Sequence, residues 1–238
     1  MQTRAQVILL CFLVSSVLLV QFSSIDIRVS SAFFEEGFYF RDEWYATWLR
    51  NGVTYFLWLS IASVAGMYAF NRFSRQNLCG VDGRKVLYLL MVLIIGAGLI
   101  VNVILKDNFG RARPRDVEEF GGTKQFTPAF VISDECHDNC SFSSGEGAGA
   151  FYSLSLALAF SRRREMLLAG IAFGGVVSLG RIAAGAHFFS DSVVSFFVML
   201  LVTDVLYYYM FVPGASLRAR GSIEAVGRPK PSAVAVDN

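Results

Sequence analysis

The sequence predicts an all-α, polytopic membrane protein in which six transmembrane helices form a bundle. Hydrophobic residues make up 54% of the 238 residues and charged residues only 17%, whereas a soluble domain carries about 25% charged residues. Long runs lack Asp, Glu, Lys and Arg entirely, and basic residues cluster between them. This alternation is typical of membrane spans separated by cytoplasmic loops.

The composition also excludes several classes of protein. The net charge is only +2, and no basic stripe of the kind that binds nucleic acid is present. The 22 Phe residues argue against intrinsic disorder. Four Cys residues are too few for a small secreted domain held together by disulfides.

The first three spans are predicted from charge-free runs. Residues 5–25, 51–71 and 86–105 contain no charged side chain. Each run has about the 20 residues that a helix needs to cross the hydrocarbon core. A helix is required there because lipid offers no hydrogen-bond partner to the backbone.

The first run has a second interpretation. Arg4 followed by the apolar residues 7–20 resembles a signal peptide, and residues 29–32 (Val-Ser-Ser-Ala) imperfectly resemble a cleavage site. We expect the run to be kept as a membrane anchor, because it is long enough to span.

The last three spans, residues 146–161, 166–186 and 190–212, are polar at one end. Titratable side chains lie at these outer ends, namely Glu146, Arg181, His187 and Asp191. A helix that is apolar except at one end indicates a polar site at that end. We therefore predict one domain over residues 1–212, with residues 50–212 as its motif-bearing core. The polar residues 213–238 are predicted to be a flexible cytoplasmic tail.

The positive-inside rule predicts the orientation. With six spans, 12 of the 21 Lys and Arg residues fall on one side of the membrane. Both termini are then cytoplasmic, and residues 26–50, 106–145 and 187–190 face the other side. The aromatic segment 33–49 is predicted to lie at the interface on that outer side.

Three polar clusters are predicted to meet at the outer face. They comprise residues 106–115 after the third span, residues 141–148 at the start of the fourth, and residues 180–191 between the fifth and sixth. The cations Lys106, Arg113 and Arg181 suit phosphate oxygens. Free backbone N–H groups at Ser144 and Gly145, where a helix begins, also favour an anion.

His187 and Asp191 supply a different kind of chemistry. They are four residues apart and share a face if the sixth span begins near His187. The carboxylate could then orient the imidazole and stabilise its cationic form. An oriented histidine beside a phosphate pocket favours covalent phosphoryl transfer through a phosphohistidine.

These clusters resemble the signature of the type-2 phosphatidic acid phosphatase superfamily, which comprises integral-membrane lipid phosphate phosphatases. The first motif, Lys-x6-Arg-Pro, is complete at Lys106, Arg113 and Pro114. The third, Ser-Arg-x5-His-x3-Asp, has Gly in place of Ser and matches at Arg181, His187 and Asp191. The second, Pro-Ser-Gly-His, matches only at Ser144 and Gly145, because Ser143 replaces Pro and Glu146 replaces His.

The resemblance implies a helical bundle with a metal-independent active site and no cofactor. It implies that His187 is the nucleophile and Asp191 its partner. It further implies that the phosphate is held by Lys106, Arg113, Ser144, Gly145 and Arg181. The family's second-motif His protonates the leaving oxygen, so Glu146 is the informative difference. Glu146 could act as the acid, or as the base that activates water, or neither role could apply in a catalytically dead lipid-phosphate binder.

The expected partner is a phosphorylated membrane lipid, met at the periplasmic face of a bacterial inner membrane. The Ser-Phe-x-Ser-Gly-Glu pattern is similar to that of envelope phosphatases acting on lipid A. Phosphatidylglycerol phosphate, phosphatidate and undecaprenyl pyrophosphate remain alternatives. A transporter of anionic lipid that uses Asp204 is an alternative of another class, but we expect Asp204 to have a buried polar partner or to lie at the inner interface.

A few further residues carry smaller predictions. Cys136 and Cys140 are expected to form a disulfide rather than a metal site. Arg111, Arg115 and Lys124 could attract substrate, and the two arginines could equally be loop charges paired with Asp116, Glu118 or Glu119. The glycines of the fifth span are expected to allow close helix packing; they are Gly174, Gly175, Gly180 and Gly185.

Overall fold

A computed structural model describes residues 2–41 and 44–213 of the chain. Its helices are α1 (Gln2–Gln21), α2 (Ser24–Ser31), α3 (Trp44–Ser74), α4 (Gly83–Lys106), α5 (Gly145–Phe151), α6 (Ser153–Phe160), α7 (Arg164–Ala183) and α8 (Phe189–Phe211). The second part of α4, Val92–Lys106, is wound as a π-helix. Beyond Pro213, the predicted tail lies outside the described residues.

The structure confirms an all-α membrane bundle. Five helices are long and apolar enough to cross a membrane, and they correspond to the first, second, third, fifth and sixth predicted spans. The fourth predicted span is built differently, because α5 and α6 are both short and are separated at Tyr152. The predicted count of six spans is therefore not established by helix length.

The short helix α5 lies in the interior of the bundle. It packs against α7 and α8, while α8 also contacts α1 and α4. Small buried residues, Gly147 to Ala150, allow this close approach. A Cβ atom on Gly149, for example, would lie only 2.9 Å from Cγ1 of Val53 on α3.

The predicted glycine packing on α7 is correct at two positions and wrong at a third. A Cβ atom on Gly174 would lie 2.1 Å from the ring of Phe151, and one on Gly180 would lie 2.3 Å from Leu49. Gly175 faces open space. Gly185 follows the helix in a left-handed turn, with φ of +62°.

The end of the bundle that carries the three polar clusters, here called the motif end, is covered by part of the aromatic segment. Phe34 and Phe38 pack against Phe120 in a buried cluster that includes Phe188. These two rings of the segment predicted to be interfacial therefore pack against other parts of the protein. Trp48, by contrast, is exposed.

Asp204 near the far end of α8 has a polar partner, but that partner, Arg4, is about half exposed and not buried as predicted. Its Oδ1 atom lies 2.9 Å from Nε of Arg4, in the first turns of α1. This ion pair fixes α1 to α8 at the end of the bundle opposite the three clusters.

Candidate active site

The ends of four helices bring the predicted site residues together at the motif end. Lys106 ends α4, Glu146 lies in the first turn of α5, Arg181 lies in the last turn of α7, and His187 directly precedes α8. Helix ends are where backbone groups remain unpaired. The polar ends of the last three predicted spans are thus the parts that face this site.

His187 is completely buried and is held at both ring nitrogens. Its Nδ1 atom lies 2.8 Å from the main-chain oxygen of Ser141, and its Nε2 atom lies 3.2 Å from Oε2 of Glu146. Because a carbonyl oxygen can only accept, the Nδ1 atom carries a proton. The ring therefore presents Nε2 to Glu146.

Glu146 links the imidazole to a cation. Its second oxygen, Oε1, lies 3.1 Å from Nη2 of Arg181, whose side chain is buried. The carboxylate itself keeps 22% of its side-chain surface exposed. Glu146 is therefore a partly exposed group that connects two buried ones, His187 and Arg181.

Lys106, Arg113 and Arg181 lie close enough for their charges to repel one another, and all three are attracted to Glu146. Burial lowers the pKa of Arg113, and the neighbouring Arg115 and Arg181 lower it further. A concentration of positive charge of this kind is unfavourable on its own and is relieved by a bound anion.

Arg113 is oriented by the backbone of a neighbouring loop. Its Nε and Nη2 atoms donate to the carbonyl oxygen of Asn139, at 3.0 and 2.6 Å. Asn139 lies within the loop that a Cys136–Cys140 disulfide closes. The disulfide that the sequence predicts is present and borders the site.

Ser144 and Gly145 begin α5 for separate reasons. The Ser144 hydroxyl accepts a hydrogen bond from the Gly147 N–H and caps the helix. A Cβ atom on Gly145 would lie 2.8 Å from Oδ1 of Asn102 and 3.6 Å from Nζ of Lys106. Glycine therefore allows the Asn102 side chain of α4 to approach the start of α5 this closely, while the distance to Lys106 is an ordinary contact.

Some buried polar atoms at the site have no partner among the described residues. They include Nε of Arg181 and the hydroxyl of Ser143. Buried polar groups are nearly always hydrogen-bonded. The unpaired donor of Arg181, near the cations Lys106 and Arg113, fits a site that an oxyanion completes.

The comparison with protein families agrees with this geometry. A model of the PAP2 superfamily matches residues 86–214, a range that contains every residue of the three motifs. The chain belongs to the PAP2 superfamily.

No group of three or more His, Cys, Asp or Glu side chains suited to a metal ion occurs within residues 2–41 and 44–213.

Curated relatives of this PAP2 chain carry a shared name. It is 40% identical over 132 residues to a lipid A 4'-phosphatase of Francisella tularensis subsp. novicida, a match covering 54% of this chain and 60% of the relative. It is 36% identical over 125 residues to a lipid A 4'-phosphatase of Rhizobium leguminosarum, covering 52% and 54%. The chain thus matches little more than half the length of these relatives.

A solved PAP2 structure shares the fold. It is the first crystal structure of a transmembrane PAP2-type phosphatidylglycerolphosphate phosphatase, from Bacillus subtilis. The TM-score is 0.56 with 19% sequence identity, and the alignment covers 94% of this chain and 98% of the other.

Asp191 supports the PAP2 site differently from the sequence prediction. His187 precedes α8 instead of lying on it, and its Nδ1 atom is 3.7 Å from Oδ2 of Asp191. The Asp191 carboxylate instead accepts hydrogen bonds from the Phe188 N–H and the Ser141 hydroxyl. Asp191 therefore holds the two segments that flank the imidazole, because those segments offer better-placed donors.

Arg111 is the residue whose role the sequence prediction missed. It was expected to attract substrate or to pair with nearby loop carboxylates, but it is buried and pairs with Asp26 at 2.8 Å and Asp191 at 2.6 Å. The only signal in the sequence was a further Arg inside the first motif. Nothing in the sequence pointed to Asp26.

The other two loop cations, Arg115 and Lys124, contact polar groups of neighbouring loop residues. Arg115 lies 3.8 Å from Asp116, as one of the two predictions for it proposed. Lys124 donates to the main-chain oxygen of Glu135. Neither contact reaches His187 or Glu146.

Proposed function

We propose that this protein is a membrane-embedded phosphatase that removes the 4'-phosphate of lipid A through a phosphohistidine at His187. Phosphoric monoester hydrolysis without a metal is the activity that the residues at the motif end support best. The substrate is suggested by the relatives named lipid A 4'-phosphatase. The match to those relatives is partial, so the activity and the substrate are both part of the proposal.

The observation that carries the proposal is the position of His187. The Ser141 carbonyl occupies Nδ1, so Nε2 is the atom available for attack. Glu146 neighbours Nε2 and attracts three cations, Lys106, Arg113 and Arg181. The proposed position of the phosphate is therefore beside Nε2, among these cations. A nucleophile and cations around one position are what phosphoryl transfer requires.

Glu146 supplies both proton transfers in the proposed cycle. Before substrate binds, the 3.2 Å contact is a hydrogen bond from a protonated Nε2 to the carboxylate. On binding, that proton passes to Glu146 and the lone pair of Nε2 becomes free. As the Nε2–P bond forms and the P–O bond of the sugar breaks, Glu146 gives the proton to the leaving sugar oxygen.

Hydrolysis of the phosphohistidine reverses the direction of the proton. Glu146, now a carboxylate, takes a proton from a water molecule that attacks phosphorus, and the P–Nε2 bond breaks. Inorganic phosphate leaves, and the proton returns from Glu146 to Nε2. The same carboxyl group is the acid of the first step and the base of the second, so neither step requires a second histidine.

The surroundings favour a lipid over a soluble phosphate ester. The site lies at the ends of helices that are apolar enough to span a membrane, and a lipid phosphate reaches such a depth without leaving the bilayer. A sugar is also a better leaving group than a simple alcohol, which suits a carboxylic acid as proton donor. We place the motif end at the periplasmic face of a bacterial inner membrane, with both termini in the cytoplasm, from the distribution of Lys and Arg.

Phosphate release by the purified full-length chain tests the proposal. Lipid A, phosphatidylglycerol phosphate, phosphatidate and undecaprenyl pyrophosphate are presented in matched detergent micelles. We expect release from lipid A at the 4' position to be fastest. A preference for phosphatidate would contradict the proposed substrate, and release from none of the four would contradict a phosphatase.

The same preparation separates enzyme from binder and transporter. A His187→Gln variant should bind lipid A and release no phosphate. Wild-type binding without release would indicate a phosphate-lipid binder. Movement of labelled lipid A between the leaflets of a vesicle, without release, would indicate a transporter.

A further inference from the structure

Asp26 lies outside the part of the chain that the family model matches, yet it reaches the site. It belongs to the short helix α2, which follows the first membrane helix. Its carboxylate is completely buried. It accepts hydrogen bonds from the N–H of Ser190 at 2.8 Å, from the Ser190 hydroxyl at 2.6 Å and from Nη2 of Arg111 at 2.8 Å.

Arg111 stands between two carboxylates. Its Nη2 atom bonds Asp26 and its Nη1 atom bonds Asp191, at 2.8 and 2.6 Å. Its Nε atom donates to the carbonyl of Thr127, and its guanidinium lies 4.3 Å from the centre of the Phe188 ring. These contacts leave the side chain a single orientation.

The charges of this buried group do not cancel. One guanidinium faces two carboxylates, so the sum is one negative charge when all three are ionised. Burial and the nearby Asp191 charge raise the pKa of Asp26 overall, while the Arg111 charge and the hydrogen bonds from Ser190 and Arg111 oppose this rise. The three donors that the carboxylate accepts from favour its ionised form. Without Asp26, the positive charge of Arg111 would be balanced by Asp191, and the pair would carry no net charge.

Asp191 is the member of this group that lies nearest to the imidazole. Its Oδ2 atom is 3.7 Å from Nδ1 of His187, and both groups are completely buried. A negative charge there stabilises the positive charge that the ring gains when Nε2 bonds phosphorus. The effect is strong because little water screens it.

We infer that Asp26 is a positioning residue of the catalytic site: it holds Arg111 against Asp191 and shares the Arg111 charge, which leaves a net negative charge beside His187. The inference rests on the proposed function. It makes α2 a working part of the site, and loss of residues 1–32 would remove it.

A purely structural role for Asp26 would be to fasten the N-terminal helices to α8. The chain offers a matched control for that role, because Asp204 fastens α1 to the opposite end of α8 through Arg4. Asp26→Asn and Asp204→Asn make the same chemical change at the two ends. Only the first changes the charge beside the imidazole.

Steady-state release of phosphate from lipid A is measured for both variants, together with their thermal unfolding. We expect Asp26→Asn to lower kcat about tenfold, the size of a coupling between contacting charged groups. KM should stay within about twofold, because Asp26 does not touch the phosphate. Asp204→Asn should retain the wild-type kcat even if its unfolding temperature falls.

A second variant keeps the test decisive if Asp26→Asn does not fold. Ser190→Ala removes the hydroxyl that bonds both Asp26 and Arg111 but leaves both charges. It should lower kcat by less than Asp26→Asn would, again with little change in KM. A kcat equal to that of the wild type in the folded variant would overturn the inference.

The remaining outcomes are also distinguishable. An Asp26→Asn protein whose KM rises while kcat is unchanged would contradict a role beside the imidazole. Equal losses of kcat in the Asp26 and Asp204 variants would indicate fastening alone. If the wild type releases no phosphate, the proposed function fails and the inference fails with it; wild-type turnover with an unaffected Asp26 variant overturns the inference alone.

Discussion

The main-chain oxygen of Ser141 lies 2.8 Å from Nδ1 of His187, although the two residues are 46 positions apart in the sequence. This contact sets both the protonation of Nδ1 and the direction of Nε2. A backbone group, which no side-chain substitution removes, therefore orients the proposed nucleophile.

Replacement of Asp191 should accordingly reduce the proposed phosphatase activity without abolishing it. Asp191→Asn removes charge near the ring but leaves the Ser141 carbonyl in place, so we expect kcat to fall about 10- to 100-fold, as for the loss of one charged hydrogen-bonding group. Initial rates of phosphate release measure this. A loss as complete as that of His187→Gln would show that the carboxylate, not the carbonyl, orients the imidazole.

Glu146→Gln tests the proton transfers. The amide keeps the size of the side chain but can neither give nor take the proton, so kcat should fall by about 10²- to 10⁴-fold. Lipid binding, measured by quenching of tryptophan fluorescence or by sedimentation with micelles, should change little. Wild-type turnover in this variant would contradict the acid–base role.

Glu146→His is the matched variant, because it restores the residue that the family's second motif carries. A titratable group then returns beside Nε2 of His187. We expect it to turn over faster than Glu146→Gln. Equal rates for the two variants would show that position 146 does not transfer the proton.

Reduction of the Cys136–Cys140 disulfide should weaken substrate binding. The closed loop presents the Asn139 carbonyl that orients Arg113. With the loop open, we expect KM to rise roughly fivefold, equivalent to about 1 kcal/mol for one misplaced hydrogen-bonding group. Turnover of lipid A is compared with and without a thiol reductant.

The paired serine variant Cys136→Ser with Cys140→Ser supplies the control. It should show the raised KM without reductant and no further response to it. Cys11 and Cys79 are free and exposed, and their replacement by Ser should leave the response to reductant intact. A reductant effect that persists in the paired variant would refute a role for this disulfide.

Adjacent glycines on α7 offer a test of the packing. A Cβ atom on Gly174 would collide with the ring of Phe151, whereas Gly175 faces open space. Gly174→Ala should cost about 1–3 kcal/mol of unfolding free energy, and Gly175→Ala should stay within about 0.5 kcal/mol of the wild type. Thermal or denaturant unfolding in detergent compares them, and equal stability of the two would contradict the α5–α7 contact.

The membrane helices could be predicted because their signal is local. A charge-free run of about 20 residues has one stable conformation in lipid, whatever surrounds it. The fourth span was harder to predict, because α5 and α6 are short and buried against other helices. Small buried residues resemble a span in composition but do not have its length.

The motif residues could also be predicted, because each motif is a short stretch of chain at or between helix ends. The support around them could not. The Asp26–Arg111 ion pair joins residues 85 positions apart, and the partner of Nδ1 on His187 is a backbone oxygen that has no residue type. Such contacts depend on how the helices pack, which periodicity and composition do not report.

Detection of phosphorus bonded to the Nε2 atom of His187 is the most direct test of the account. Full-length wild type and the His187→Gln variant are mixed briefly with labelled lipid A. The reactions are quenched in alkali, which preserves phosphohistidine, and the peptides are examined by mass spectrometry. We expect label on His187 in the wild type, and none in His187→Gln. Label that persists in His187→Gln, or turnover by a wild type in which His187 is never phosphorylated on rapid quenching, would contradict it.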